Sequence, residues 1–134
     1  MSPRFLLDTH ILVWWLTEPR KLSSEQSRVL REAIRRHEPV AICAITLLEL
    51  ALLLTVKSTR MTIPVEEMFE QLEAHPAVQI LPLTIGVAAE VAAIGPSLRD
   101  PVDRTIVATA RSRKLRLITA DQRIIESNLV PVVT

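Results

Sequence analysis

Arg4-Phe5-Leu6-Leu7-Asp8-Thr9-His10 sets the reading of the whole chain. Three apolar residues in a row, closed by an acid and followed at residues 11–16 by a helical pattern, describe a short strand covered on both faces. A half-exposed strand would alternate apolar with polar. The same pairing of apolar run and helix recurs downstream, with strands read at residues 40–45, 78–83, 115–119 and 129–133. Ser23-Ser24-Glu25-Gln26 resembles a capping box opening a helix through about Arg36, and residues 46–56 form a strongly apolar helix. An amphipathic helix over residues 65–74 and another over 84–94 follow. Asp100-Pro101 opens a further helix, since proline suits a first helical position, and residues 121–126 form a short last one. Continuous apolar strands separated by helices predict an α/β fold with a parallel sheet covered on both sides. Such folds place their sites outside the carboxyl ends of the strands, where the topology switches.

Length and composition agree with one domain spanning residues 1–134, with 49% apolar and 23% charged residues. Charge and apolar content exclude a disordered or collagen-like chain. Cys43 is the only cysteine, so an internal disulfide is impossible and a reducing compartment fits. A net charge of +1 gives no global pull towards nucleic acid, so any basic surface is local. The most apolar stretch, residues 40–56, contains Glu49 and is short of the ~20 residues a membrane span needs. Nor does Met1-Ser2-Pro3-Arg4-Phe5 resemble a signal peptide, so the expectation is a cytoplasmic protein with no membrane association.

The acids are distributed unevenly. Of fifteen, only four are aspartates: Asp8, Asp100, Asp103 and Asp121. Each stands at an element end, Asp8 after the first strand, Asp121 after the fourth, and Asp100 and Asp103 three apart at the start of one helix. Glu49 adds a fifth carboxylate on an otherwise apolar helix. Each has a structural reading: Asp8, Asp100 and Asp121 as helix N-caps, and Thr46-Leu47-Leu48-Glu49 as a second capping box. Asp103 would complement the helix dipole, and Asp100 would pair with Arg104. As a set they say more. Carboxylates about 4 Å apart repel by ~4 kcal/mol per pair at an effective dielectric of 20, so a cluster needs protons or a cation. All-oxygen ligands without a Cys or His cluster point to a hard ion, Mg²⁺ or Mn²⁺. Such an ion prepares water to attack a phosphodiester.

Leu6-Leu7-Asp8-Thr9-His10 with Trp14-Trp15-Leu16, Thr46-Leu47-Leu48-Glu49, Arg99-Asp100-Pro101-Val102-Asp103-Arg104 with Ala108-Thr109-Ala110, and Leu117-Ile118-Thr119-Ala120-Asp121 together resemble PIN domains. Within these the likeness is to the VapC ribonuclease toxins of prokaryotic toxin–antitoxin pairs. Val102 and Leu48 replace residues that are often aromatic in this branch and read as packing substitutions. The resemblance implies a three-layer α/β/α sandwich and Mg²⁺- or Mn²⁺-dependent endoribonuclease activity through metal-activated water. It maps the four acids to Asp8, Glu49, Asp103 and Asp121, with Asp8 and Asp103 as direct metal ligands and Glu49 and Asp121 acting directly or through water. Asp100 would be accessory or a cap. Thr9 and Thr119 sit beside site carboxylates and are accessory candidates. The resemblance further implies an RNA substrate, a cognate antitoxin and a homodimer.

Other candidates are weaker. Cys43 lies in an apolar run and reads as an inert core thiol. His10 is a candidate site-lining residue, while His37 and His75 read as solvent-facing. No Gly-rich phosphate loop exists. From residue 99 onward seven cations face four acids; Arg111 to Arg116 suit a helix C-terminus, and Arg104, next to Asp103, is the candidate RNA-phosphate contact. Adjacent Trp14 and Trp15 cannot both be fully buried by one core, and the leucines at positions 47, 48, 50 and 52–54 need cover on every side. The excess suits a dimer face or a groove for a partner helix. Two alternatives remain. A receiver-like acidic-pocket module without nuclease activity would want paired acids after the first strand, where Asp8 stands alone, and a lysine near the last strand, where only Lys114 is available. The other alternative is a PIN-type nuclease acting on DNA.

Overall fold

The computed structural model describes residues 2–54 and 63–134. Five strands, β1 (Phe5–Leu7), β2 (Val40–Cys43), β3 (Val78–Leu81), β4 (Arg116–Ile118) and β5 (Val132–Val133), form one sheet in the order β3-β2-β1-β4-β5. Every neighbouring pair is parallel, with Leu6 opposite Ala41 on one side and Leu117 on the other. The helices are α1 (Thr9–Thr17), α2 (Ser24–Arg35), α3 (Ala44–Leu54), α4 (Val65–Ala74), α5 (Ile85–Ala93), α6 (Pro101–Arg113) and α7 (Gln122–Ser127).

Strand periodicity explains the unbroken apolar runs. Phe5, Leu7, Val40, Ile42 and Ile118 point to one face, where Ile11 and Leu12 of α1, Leu30 of α2, Leu50 of α3 and Met68 of α4 cover them. Leu6, Ala41, Cys43 and Leu117 point to the other face, against Val87 of α5, Ile106 and Ala110 of α6 and Ile124 of α7. The result is the three-layer α/β/α arrangement. Fully burying one such Leu or Ile contributes about 1.5–3 kcal/mol, so both layers are needed to hold the three central strands. Among the described residues no helix is long and apolar enough to cross a membrane.

Several boundaries move from their sequence positions. The helix expected from Thr46 begins at Ala44, directly after Cys43 with no loop residue between strand and helix. Thr46 is therefore a fully buried residue inside α3 and not a cap, and the second capping box does not form. The predicted residues 55–56 of that helix lie outside the described residues. Strand β3 stops at Leu81, because Pro82 has no N–H to continue the ladder. The box at Ser23 does form, with Ser23 Oγ accepting from Gln26 N and Gln26 Oε1 accepting from Ser23 N. Trp14 and Trp15 are each half-buried.

The sheet order also fixes where a site belongs. From β1 the chain moves outward to β2 and β3, and β4 and β5 lie on the other side. The switch point is thus the gap between the carboxyl ends of β1 and β4.

Candidate metal centre

Asp8 and Thr119 stand at that gap. Asp8 is the first residue after β1, its N–H bonded to Ile118 O at 3.0 Å, and the residue is 4% exposed. It carries two roles at once. Oδ1 accepts from Thr9 N at 2.9 Å and caps α1, while Oδ2 accepts from Thr119 Oγ1 at 2.7 Å. Thr119 Oγ1 in turn accepts from Asp121 N at 3.0 Å, so one buried hydroxyl ties the ends of β1 and β4 together. Thr9 Oγ1 lies 3.1 Å from Thr46 Oγ1 and hydrogen-bonds Glu49, joining α1 to α3.

Around this pair opens a cleft of about 330 Å³, lined by Asp8, Thr9, His10, Glu49, Asp100, Asp103, Asp121 and Arg123, with Val13, Trp14 and Leu53 as an apolar wall. All five carboxylates singled out in the sequence thus face one hollow, although β1, α3, α6 and α7 deliver them from distant parts of the chain. Glu49 sits on the second turn of α3 because that helix starts two residues early. Asp100 Oδ1 accepts from both Val102 N and Asp103 N, at 2.8 and 3.0 Å, so its first duty is to cap α6.

Crowding shows in the protonation equilibria. Burial, reinforced by the charges of Asp100, Asp8 and Asp121, pushes Asp103 up to about 6 despite the opposing pull of Arg123. Glu49 is likewise raised, by burial first and by Asp8 and Asp100 in addition. Asp121 goes the other way. Burial favours its neutral form, but hydrogen bonds from Arg123 outweigh that and hold it below the usual carboxylate range.

His10 lines the cleft. Its Nε2 accepts from Ala120 N at 3.0 Å, which leaves Nδ1 to carry the proton, 3.5 Å from Asp8 Oδ2. The Trp14 ring meets it edge-on, with centroids 5.0 Å apart.

The basic residues are arranged differently from the sequence expectation. Arg104 does not line the cleft and does not pair with Asp100. Its guanidinium is spent on backbone carbonyls, donating to Leu98 O at 2.8 Å, Val91 O at 2.6 Å and also Gly95 O, where it ties the end of α5 to α6. Arg111 donates to Leu129 O at 2.6 Å and pairs with Glu90 at 3.4 Å, and Arg116 lies 5.9 Å over the Phe5 ring. Among the described residues, the cation in the cleft is Arg123, two residues past Asp121, whose Nη2 lies 3.1 Å from Asp121 Oδ2 and 3.4 Å from Asp103 Oδ2. An Asp-x-Arg triplet at a helix start was the available signal, because the cap on Arg123 N at 2.9 Å brings the arginine back over the capping acid. His75 also departs from expectation. It is half-buried against Trp15 at 5.0 Å, and burial lowers its pKa, whereas His37 is exposed. Cys43 is buried beside Thr109 Oγ1 at 3.2 Å, as suits a core thiol.

As a donor set the cleft offers carboxylate and hydroxyl oxygens, which suit a hard divalent cation, and its raised Asp103 and Glu49 register an excess of negative charge that such a cation would relieve. Among the described residues no three of the acids are gathered tightly enough to grip an ion as they stand. Like charges keep them apart, and Arg123 stands between two of them.

The PIN domain family matches residues 5–127, which includes all of these side chains. The chain belongs to the PIN domain family. It is 38% identical over 120 residues to Ribonuclease VapC22 of Mycobacterium tuberculosis, covering 89% of this chain and 88% of that one. Among solved structures, FitAcB from Neisseria gonorrhoeae superposes with a TM-score of 0.71 at 26% identity, covering 97% of this chain and 96% of its own. VapBC-5 from Mycobacterium tuberculosis, of the VapBC family of toxin-antitoxin systems, shares the fold with a TM-score of 0.62 at 21% identity and 98% coverage of both chains. This PIN-domain chain therefore carries its acids on a scaffold shared, over its whole length, with toxin–antitoxin proteins.

Proposed function

We propose that this PIN-domain protein is a divalent-metal-dependent endoribonuclease and the toxin member of a toxin–antitoxin pair. One observation carries the reading: Asp8, Glu49, Asp103 and Asp121, from four separate elements, line one cleft at the switch point of a parallel sheet. The likeness to a ribonuclease over nine-tenths of the chain supports RNA as the substrate. A divalent ion held there, Mg²⁺ or Mn²⁺, supplies positive charge to the phosphoryl oxygens and lowers the pKa of an attacking water.

The protein's own side chains do the rest. Asp8 and Asp103 are the direct ligands. Asp8 is held in place by Thr9 N and the Thr119 hydroxyl, so the other acids close on the ion around it. Glu49, raised in pKa and held by Thr9, is suited to accept a proton from water, and Asp121 completes the charge. His10 fixes the Ala120 backbone beside Asp121 and orients Asp8 from its other nitrogen.

Leu48 and Leu52 of α3, at 53% and 57% exposure, and Ile85 at 90%, suit a second copy of this chain or an antitoxin helix. A particle of one chain mass in light scattering at all concentrations would exclude the homodimer. The enzymatic reading is tested by incubating the protein with single-stranded RNA and single-stranded DNA, in Mg²⁺ and in EDTA. RNA cut only with Mg²⁺ is the expected result. Cutting of DNA alone moves the substrate assignment, and cutting of neither with a folded protein supports a binding module instead.

A further inference from the structure

Among the described residues, Arg123 is the cation that the cleft already contains. Its Nη2 alone reaches both Asp103 Oδ2 and Asp121 Oδ2, at 3.4 and 3.1 Å, and its Nε lies 3.4 Å from Asp121 Oδ1. The two carboxylates are largely shielded, at 14% and 19% side-chain exposure, whereas the arginine side chain as a whole is 73% exposed. The arginine therefore reaches in from the solvent side and bridges the two acids through charged hydrogen bonds. Its backbone, in contrast, is fixed by the cap from Asp121 Oδ1. A side chain so placed can leave without disturbing the fold.

We infer that Arg123 is a displaceable counter-ion: it bridges Asp103 and Asp121 in the ion-free protein, gives way to the divalent ion, and on release contacts an RNA phosphate at the mouth of the cleft. A divalent ion and the guanidinium repel one another and compete for the same two Oδ2 atoms, so entry of the ion weakens the bridge. Guanidinium groups match phosphate in a two-pronged geometry, and the freed group starts within the cleft, on the solvent side of the acids. Loading of the ion and recruitment of RNA thereby become coupled through one side chain. Arg104, by comparison, is anchored to three backbone carbonyls and has no such freedom.

The inference rests on the metal-site reading above, and its test separates the two. Mn²⁺ is titrated calorimetrically into the full chain without RNA, in wild type, Arg123→Gln and Arg123→Lys. Loss of the competing charge is expected to tighten Mn²⁺ binding on the order of fivefold in Arg123→Gln, with Arg123→Lys close to wild type. In a second arm, binding of a single-stranded RNA with Ca²⁺ in place of Mn²⁺ is followed against salt. Arg123→Gln is expected to weaken it and to lower the slope of log K against log salt by about 1. Mn²⁺ affinity that is unchanged or weaker in Arg123→Gln overturns the counter-ion role, and an unchanged salt slope overturns the phosphate role. Wild type that binds no Mn²⁺ overturns the metal site itself, a different failure.

Discussion

Asp103 shows how a single residue carries opposite demands. Burial and three neighbouring carboxylates push it up to about 6, so its charge is a burden on the ion-free fold. Replacing it with the neutral isostere removes that burden together with a proposed metal ligand. Asp103→Asn is expected to raise the stability of the ion-free protein at pH 7.5 by about 1 kcal/mol, a figure that allows for partial solvent screening, while cutting Mg²⁺-dependent RNA cleavage at least about a hundredfold. Chemical denaturation in EDTA and a gel-based cleavage assay read the two effects. A less stable variant would mean that Asp103 holds the fold together rather than straining it. Residue identity was legible in the sequence where chemistry restricts the choice: the four aspartates at element ends, the threonines beside them and the buried thiol. Arg104 and Arg123 were not separable there. Both adjoin or closely follow an acid, and only three-dimensional packing directs one to the carbonyls of α5 and the other into the cleft.

At the scale of elements, helix caps and metal ligands come from the same short list of side chains, which is why Asp8, Asp100 and Asp121 each supported two readings. The two uses are compatible, because a carboxylate has two oxygens. Asp8 caps α1 with one and faces Thr119 with the other, whereas Asp100 commits Oδ1 to two backbone donors. Asp100→Ala is expected to cost about 1 kcal/mol in urea unfolding, recovered by Asp100→Ser, with cleavage reduced far less than in Asp103→Asn. Equal loss of cleavage in the alanine and serine variants, with stability untouched, would move Asp100 among the ligands. The order of strands and helices could be read from apolar runs and prolines. Their ends were harder. The jump from Cys43 to Ala44 without a loop leaves no punctuating residue, so the sequence pattern places the start of α3 two residues late, at a threonine that suits a cap.

For the molecule as a whole, the crowded cleft predicts an unusual pH profile. Asp103 and Glu49 are raised above their unfolded values, so the folded ion-free protein binds protons that the unfolded chain has released. Their contribution is complete at low pH and is lost as pH climbs from about 4 through about 6. Glu32, held near 2 by Arg35 and Arg36, gains its stabilising charge between about 2 and 4.5, below most of this window. His75, lowered by burial, works against the trend as pH rises towards 6.5; Asp103→Asn removes that residue's share of the cleft's effect and leaves that of His75 in place. In EDTA, the Tm is expected to fall between pH 4.5 and 6.5, and Mg²⁺ at pH 7 is expected to restore it by binding the native state alone. A Tm that is flat or rising across that interval would contradict the electrostatic strain assigned to the cleft. On the proposed reading one shared ion joins these effects. Calorimetric titration of Mn²⁺ into wild type and into the Asp8→Asn, Asp103→Asn double variant, each checked by circular dichroism, measures it directly. Saturable binding by the wild type and none by the folded double variant is the predicted result; equal binding by both would mean that the ion, if it binds, is held somewhere else.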